Sequence, residues 1–152
     1  MSAPESDLVF RDAHGEAIVH RLAPHLLATS LTGTASEAMV YWYFREFHVF
    51  VDGATRKVDI FHDWGKATGF HPDARRTFTV WAEERRELNR RSCRGVHTLV
   101  ESTLLFLALE ASSAYSRAAY RHTYRDRVSF EQERQKRVRE PSTEAIERTA
   151  RP

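Results

Sequence analysis

Val58-Asp59-Ile60-Phe61-His62-Asp63-Trp64 is the stretch that decides how this chain folds. Val58, Ile60 and Phe61 make a short apolar run, and such a run next to turn residues reads as a buried strand. We place the strand at Lys57 to Trp64. Gly65-Lys66-Ala67-Thr68-Gly69 follows and reads as a loop, with a glycine at each end. Next comes Gly69-Phe70-His71-Pro72-Asp73-Ala74-Arg75-Arg76. Pro72 suits the first turn of a helix, where its missing N–H is no loss, and Asp73 complements the positive end of the helix dipole. This helix is expected to reach about Arg91, with Ala74, Phe78, Trp81, Ala82 and Leu88 inward. Glu83, Glu84, Arg85, Arg86, Glu87 and Arg90 lace its other face as solvated i,i+4 pairs.

Upstream, Leu8–Phe10 and Ala17–His20 read as two short strands around a turn at Ala13-His14-Gly15-Glu16, with Gly15 available for positive φ. Leu26–Leu31 is a third strand, closed by Thr32-Gly33-Thr34. Ser36 stands at an N-cap position with Glu37 in the first turn. Val40, Phe44, Phe47 and Val51 then recur at intervals of four, three and four, one face of a helix. Met39, Tyr41, Trp42 and Tyr43 carry apolar surface beyond that stripe, which leaves both full burial and a partner face open. Gly53 is expected to cap this helix in the left-handed conformation.

Downstream, Val96–Val100 is a strand. Ser102 caps a helix from Thr103 to about Tyr115 that is apolar nearly all round, hence buried or in contact with a partner. Ala118–Tyr124 is the last strand, and a polar helix from Ser129 to Arg139 ends before Pro141. After the opening hairpin, strands and helices alternate. That order predicts an α/β fold: a mostly parallel central sheet of about four to six strands, four helices and an N-terminal strand pair. Residues 1–7 and the polar tail 138–152 read as disordered, leaving one domain over 8–137.

The 152 residues have 41% hydrophobic and 29% charged side chains, enough apolar material for one core. The net charge of +2 comes from interspersed acids and bases. It gives no basic footprint, so no nucleic-acid partner is expected. The N-terminus has neither the basic nor the apolar region of a secretory signal, and the apolar run Leu104–Leu109 is too short to cross a bilayer. A cytoplasmic protein without membrane insertion is expected.

Phosphate-cradling glycine loops and a nucleophile elbow are absent. His62, Asp63 and His71 form the most catalytic-looking set, near the C-terminal end of a strand, where open α/β sheets bind ligands. Two imidazoles and a carboxylate can hold a metal or move a proton. The plainer reading is that Asp63 accepts loop N–H groups and His71 caps the helix. We therefore expect no catalytic residues, no metal site and no cofactor. Cys93, the one cysteine, lies among Arg90, Arg91 and Arg94, which favour a lower thiol pKa, but no base is identifiable beside it.

Val58–Trp64, Gly69–Arg76 and Trp81-Ala82 together resemble STAS-like proteins, the anti-sigma-factor-antagonist fold. In those proteins a strand ends in Asp, a short loop passes a Gly-aromatic step, and a helix opens with Pro-x-x-Arg. Val96–Leu104 looks like their next strand and helix, and Tyr124–Phe130 like the entry to their last helix. The resemblance covers roughly Leu26 to Arg137 and rests on element order and a few short motifs. It implies a non-enzymatic protein-binding module in bacterial signalling or transcription control. By the same resemblance the contact surface comprises Lys66, Thr68, Phe70, Asp73, Arg75 and Arg76. Such proteins switch partners by phosphorylation of a Ser or Thr where this loop meets this helix. The usual Asp-Ser-Ser-Gly is absent here, and Thr68, the only hydroxyl residue in the loop, is the phosphorylation candidate. Two alternatives stand beside this reading. One is a small apolar or lipid ligand held between the aromatic helix Tyr41–Phe50 and the sheet. The other is a homodimer formed through the apolar helices.

Overall fold

The computed structural model describes residues 7–110 and 120–147. Six strands form one sheet in chain order: β1 (Leu8–Arg11), β2 (Gly15–Ala23), β3 (Leu26–Ala35), β4 (Val58–Phe70), β5 (Cys93–Leu99) and β6 (Arg121–Tyr124). The first two pairings are antiparallel and the other three parallel. Helix α1 (Glu37–Gly53) links β3 to β4, α2 (Pro72–Glu84) and α3 (Arg86–Ser92) link β4 to β5, and α4 (Thr103–Glu110) follows β5. Each parallel step moves to the next strand in the same direction. Right-handed crossovers of that kind put their helices on one face of the sheet. The C-terminal helix α5 (Arg127–Arg139) covers the other face, where Phe130 packs on Phe61, Leu26 and Leu99.

Strand β4 is therefore buried from both sides, and alternate residues serve different cores. Val58 and Ile60 meet Phe47, Phe50 and Val51 of α1. Phe61, one residue on, meets Phe130 of α5. Helix α1 follows its sequence signals: the Ser36 hydroxyl accepts the Met39 N–H at 3.2 Å, and the stripe Val40, Phe44, Phe47 and Val51 is buried. Met39 and Phe50 join it, and Tyr41 points to solvent. Trp81 of α2 stacks on Phe44 with ring centroids 4.2 Å apart.

Several boundaries differ from the sequence reading. Residues 65–69 are not a loop. They continue β4, because β3 also continues through Thr32-Gly33-Thr34 and pairs Lys66 with Thr32 and Phe70 with Ala35. Register shifts between Ser30 and Thr32 and between Gly33 and Thr34 accommodate the extension. The expected single helix from Pro72 breaks at Arg85, with no Gly or Pro to mark it, which makes five helices rather than four among the described residues. Gly53 is the last helical residue and does not adopt positive φ; Ala54 ends the helix with extended backbone. The end of the helix expected to reach Tyr115, and the start of the strand expected at Ala118, lie outside the described residues. The tail expected to be disordered from residue 138 is docked through Glu147. Ala145 bridges to Arg56, Lys57 N–H donates to the Glu144 carbonyl at 2.8 Å, and Ser142 is buried. The segment expected to be disordered at the N-terminus lies, but for Asp7, outside the described residues.

Gly33, rather than Gly15, takes positive φ, at 83°. A Cβ there would lie 2.6 Å from the His14 carbonyl oxygen, so both conformation and space demand glycine. Gly33→Ala is expected to cost about 1–3 kcal/mol, read as a lower urea midpoint at unchanged m-value. An unchanged midpoint would show that the β2–β3 segment relaxes freely.

Candidate functional site

The residues picked out by the sequence converge where β4 ends and α2 begins. Lys66, Thr68, Asp73, Arg75 and Arg76 are exposed there, and Ala67 and Ala74 between them are buried. Alternation of the strand and the first helical turn thus give the junction a buried base and a polar rim. Phe70 differs from the other five. It is half-buried, with its ring 5.2 Å from Trp64 and 6.0 Å from Phe78. Asp73 and Arg76 form an exposed i,i+3 ion pair at 3.7 Å, a weak contact at this exposure. The Thr68 hydroxyl lies 2.8 Å from that of Thr34 on β3. His71 holds the N-cap position of α2 but makes no side-chain capping bond; its Nε2 lies 3.1 Å from His14 Nδ1.

The set His62, Asp63 and His71 is not one site. Adjacent strand residues point to opposite faces, and each of the three has its own partners. Asp63 accepts the Gly65 N–H at 3.0 Å and is held bidentately by Arg127 of α5 at 2.7 and 3.1 Å. Burial raises its pKa, but the Arg127 and Gly65 hydrogen bonds more than offset this and hold it below the usual carboxylate range. His62 is buried on the opposite face. Its Nδ1 lies 2.7 Å from the Thr29 hydroxyl and its Nε2 3.1 Å from that of Tyr43. Burial, with smaller repulsion from Arg121 and His97, brings its pKa down to about 3, so the imidazole is neutral. Among the described residues, no three His, Cys, Asp or Glu side chains gather closely enough to hold a metal ion.

Thr29, Tyr43 and His62 also line a cavity of about 40 Å³ between the sheet and the helices. Its other walls include Leu31, Met39, Val40, Trp64 and Phe78. Of the stretch Tyr41–Phe50, which the sequence alternative set against the sheet, Tyr43 alone lines this space, beside Met39 and Val40 of the first helical turns.

The opposite face holds a cluster that sequence reading missed. Asp59 is fully buried. Arg94 Nε and Nη2 donate to its Oδ2 at 2.9 and 2.6 Å, Arg137 Nη1 lies 3.6 Å from Oδ1, and His97 Nε2 lies 3.4 Å from Oδ1. Burial pushes the Asp59 carboxyl up, and the bonds to His97 and Arg94 bring it below its usual range. His97 stacks on Phe61, centroids 4.2 Å apart, and its Nδ1 lies 3.0 Å from the Tyr124 hydroxyl. The cluster ties α5 to the sheet. The signal was present in the sequence: a carboxylate within an apolar strand requires a cationic partner. Cys93 is buried too, and burial pushes its thiol up to about 12 despite the nearby arginines, which leaves it inert.

No family model and no curated protein matches the chain. Solved structures match its fold. One is an uncharacterized protein of the DUF3478 family with a SpoIIAA-like fold, from Shewanella loihica PV-4. It aligns with a TM-score of 0.52 at 10% identity, over 87% of this chain and 97% of its own. Another is the anti-sigma factor antagonist SpoIIAA in its unphosphorylated form, with a TM-score of 0.54 at 14% identity, over 80% of this chain and 96% of its own. At such identities the likeness is one of fold. With the sheet order and the crossovers above, it gives this chain a SpoIIAA-like, STAS-type α/β fold.

Proposed function

We propose that the chain is a non-enzymatic regulatory module of bacterial signalling or transcription control, working in the cytoplasm, that binds another protein through the β4–α2 junction. One observation carries the reading: Lys66, Thr68, Asp73, Arg75 and Arg76 form an exposed polar rim on a base fixed by Ala67, Phe70 and Ala74. A rigid base beneath adaptable charged side chains suits protein recognition, where rim charges set partner choice and association rate. Thr68 is the position at which phosphorylation would act. A phosphate adds about −1.5 to −2 charge beside Lys66 and in place of the bond to Thr34.

The test is capture of the partner with wild-type protein and with the double variant Asp73→Arg, Arg76→Glu. The exchange keeps an ion pair within α2 but inverts the charges presented, so the fold is retained. A specific protein bound by wild type and lost with the variant supports the junction as the contact surface. Equal recovery with both would place the contact elsewhere. A second copy of the chain is the alternative partner, favoured by α4, where Leu104 is 82% and Leu107 57% exposed. Sedimentation of wild type against Leu104→Ser separates the two readings.

A further inference from the structure

We propose that His14 and His71 form a two-imidazole site for a divalent transition-metal ion such as zinc, completed by water on its open side. This goes beyond the partner surface and does not depend on it. The two histidines stand 57 positions apart, His14 in the turn between β1 and β2 and His71 between β4 and α2. Adjacent residues at the end of β3 hold both backbones. The Thr34 N–H donates to the His14 carbonyl at 3.1 Å, and the His71 N–H donates to the Ala35 carbonyl at 3.0 Å. Asp12 fixes the turn further: its Oδ1 accepts the His14 and Gly15 N–H groups at 2.8 and 3.1 Å, and its Oδ2 accepts from the Ser36 hydroxyl. The imidazoles are thus brought together by the backbone before any ion arrives, which lowers the cost of ordering them.

The spacing of the facing nitrogens fits a shared ion. His71 Nε2 and His14 Nδ1 lie 3.1 Å apart, with the rings nearly perpendicular at 77°. An ion about 2.0–2.1 Å from each nitrogen, the zinc–imidazole distance, would see them at an angle of about 100°, near the tetrahedral value. Without the ion, one of these nitrogens donates its proton to the other. With it, that proton moves to the far nitrogen of the same ring, and both inner lone pairs face the metal; two neutral imidazoles lose no net proton. Among the described residues, neither ring has another side-chain hydrogen bond or ion pair, so the far nitrogens can carry the protons. A hydrogen bond between groups this open to water adds little stability, so folding alone gives no reason to pair two histidines here.

The donors set the class of ion. Neutral imidazole suits zinc, copper and nickel, whereas magnesium and calcium take oxygen ligands. Among the described residues, no third His, Cys, Asp or Glu joins the pair. His14 is exposed and His71 half-buried, so water reaches the remaining coordination positions. Such a site exchanges its ion with solution, unlike a closed four-ligand structural zinc. The positive end of α2 opposes a cation at His71; Asp73 in its first turn, and Asp12, whose charge reaches His14, offset this.

The experiment is a zinc chloride titration of the full chain at neutral pH, read on the imidazole nitrogens by NMR. His14 Nδ1 and His71 Nε2 are expected to shift together and to saturate at one zinc per chain, and magnesium chloride should move neither. His14→Gln and His71→Gln should each weaken binding about 100-fold, the lower end of the gain from joining two binding groups. His20→Gln, elsewhere on β2, should leave the shifts at His14 and His71 unchanged. No saturable shift at either ring, a shift at one ring only, or zinc binding unchanged in either His14→Gln or His71→Gln would overturn the proposal. If a variant does not fold, the ring shifts of the wild type decide.

Discussion

Replacing Asp59 with alanine is expected to lower the unfolding free energy by about 3 kcal/mol, the lower end of the cost of breaking a buried ion pair. The reason lies in what remains. Arg94, Arg137 and His97 converge on that carboxylate, and its removal leaves two guanidinium groups facing an apolar layer of Phe61 and Phe130. Arg94 and Arg137 side chains are 24% and 22% exposed, so water relieves part of the penalty. For a chain of this length, that loss corresponds to a fall in Tm of roughly 6–12 °C. Asp59→Asn keeps the volume and removes the charge, and should cost nearly as much. Asp73→Ala, at the exposed pair on α2, should change stability by no more than about 0.5 kcal/mol. Thermal unfolding of the three variants checks the order. Equal effects at positions 59 and 73 would show that the cluster does not hold α5. The folded pKa of Asp59 is lowered, so its contribution is present above the unfolded carboxylate pKa and is lost as pH falls through the folded value.

The second large effect is acid sensitivity from His62. Its pKa is about 3 in the folded protein and about 6.5 in an unfolded chain. Between those values the unfolded state holds a proton that the folded state does not, so stability rises with pH. Lowering the pH from 7 to 4 should therefore cost roughly 3 kcal/mol, about 1.4 kcal/mol for each unit below 6.5. His48 and His122 add to the slope with the same sign, since burial lowers both. His62→Gln should flatten most of the curve between pH 6.5 and 4, above the window in which Asp59 acts. Urea unfolding at pH 7, 6, 5 and 4 measures it. A slope unchanged by His62→Gln would mean that the buried imidazole is not the source.

The elements with local signals were legible in the sequence. Ser36 caps α1, the stripe Val40, Phe44, Phe47 and Val51 is its buried face, and Asp63 accepts the Gly65 N–H as its position suggested. Asp126 caps α5 by accepting from the Ser129 N–H, and the helix begins at Arg127, two residues before the expected start at Ser129. Errors arose where pairing partners are distant. Gly65 and Gly69 read as turn residues, and only the length of β3 shows that they stay in the sheet. The tail carries too little apolar material to announce its docking, which relies on backbone bonds to Thr55 and Lys57. Asp59 demanded a cation, but nothing local picks Arg94 and Arg137 out of 23 lysines and arginines. The residues proposed as partner contacts at the β4–α2 junction were named from resemblance. The structure adds that five are exposed and that Phe70 is anchored below them. The cavity depends on how α1 and α2 sit on the sheet, which no short motif encodes.

The most direct test of the junction as a protein-binding surface is photo-crosslinking in the native cell. Benzoylphenylalanine is placed in turn at position 68 on β4, at position 75 on α2 and at position 135 on the exposed side of α5. The account predicts one shared adduct, with a protein other than this chain, from positions 68 and 75 and none from position 135. An adduct from position 135 alone, or from all three equally, would contradict it.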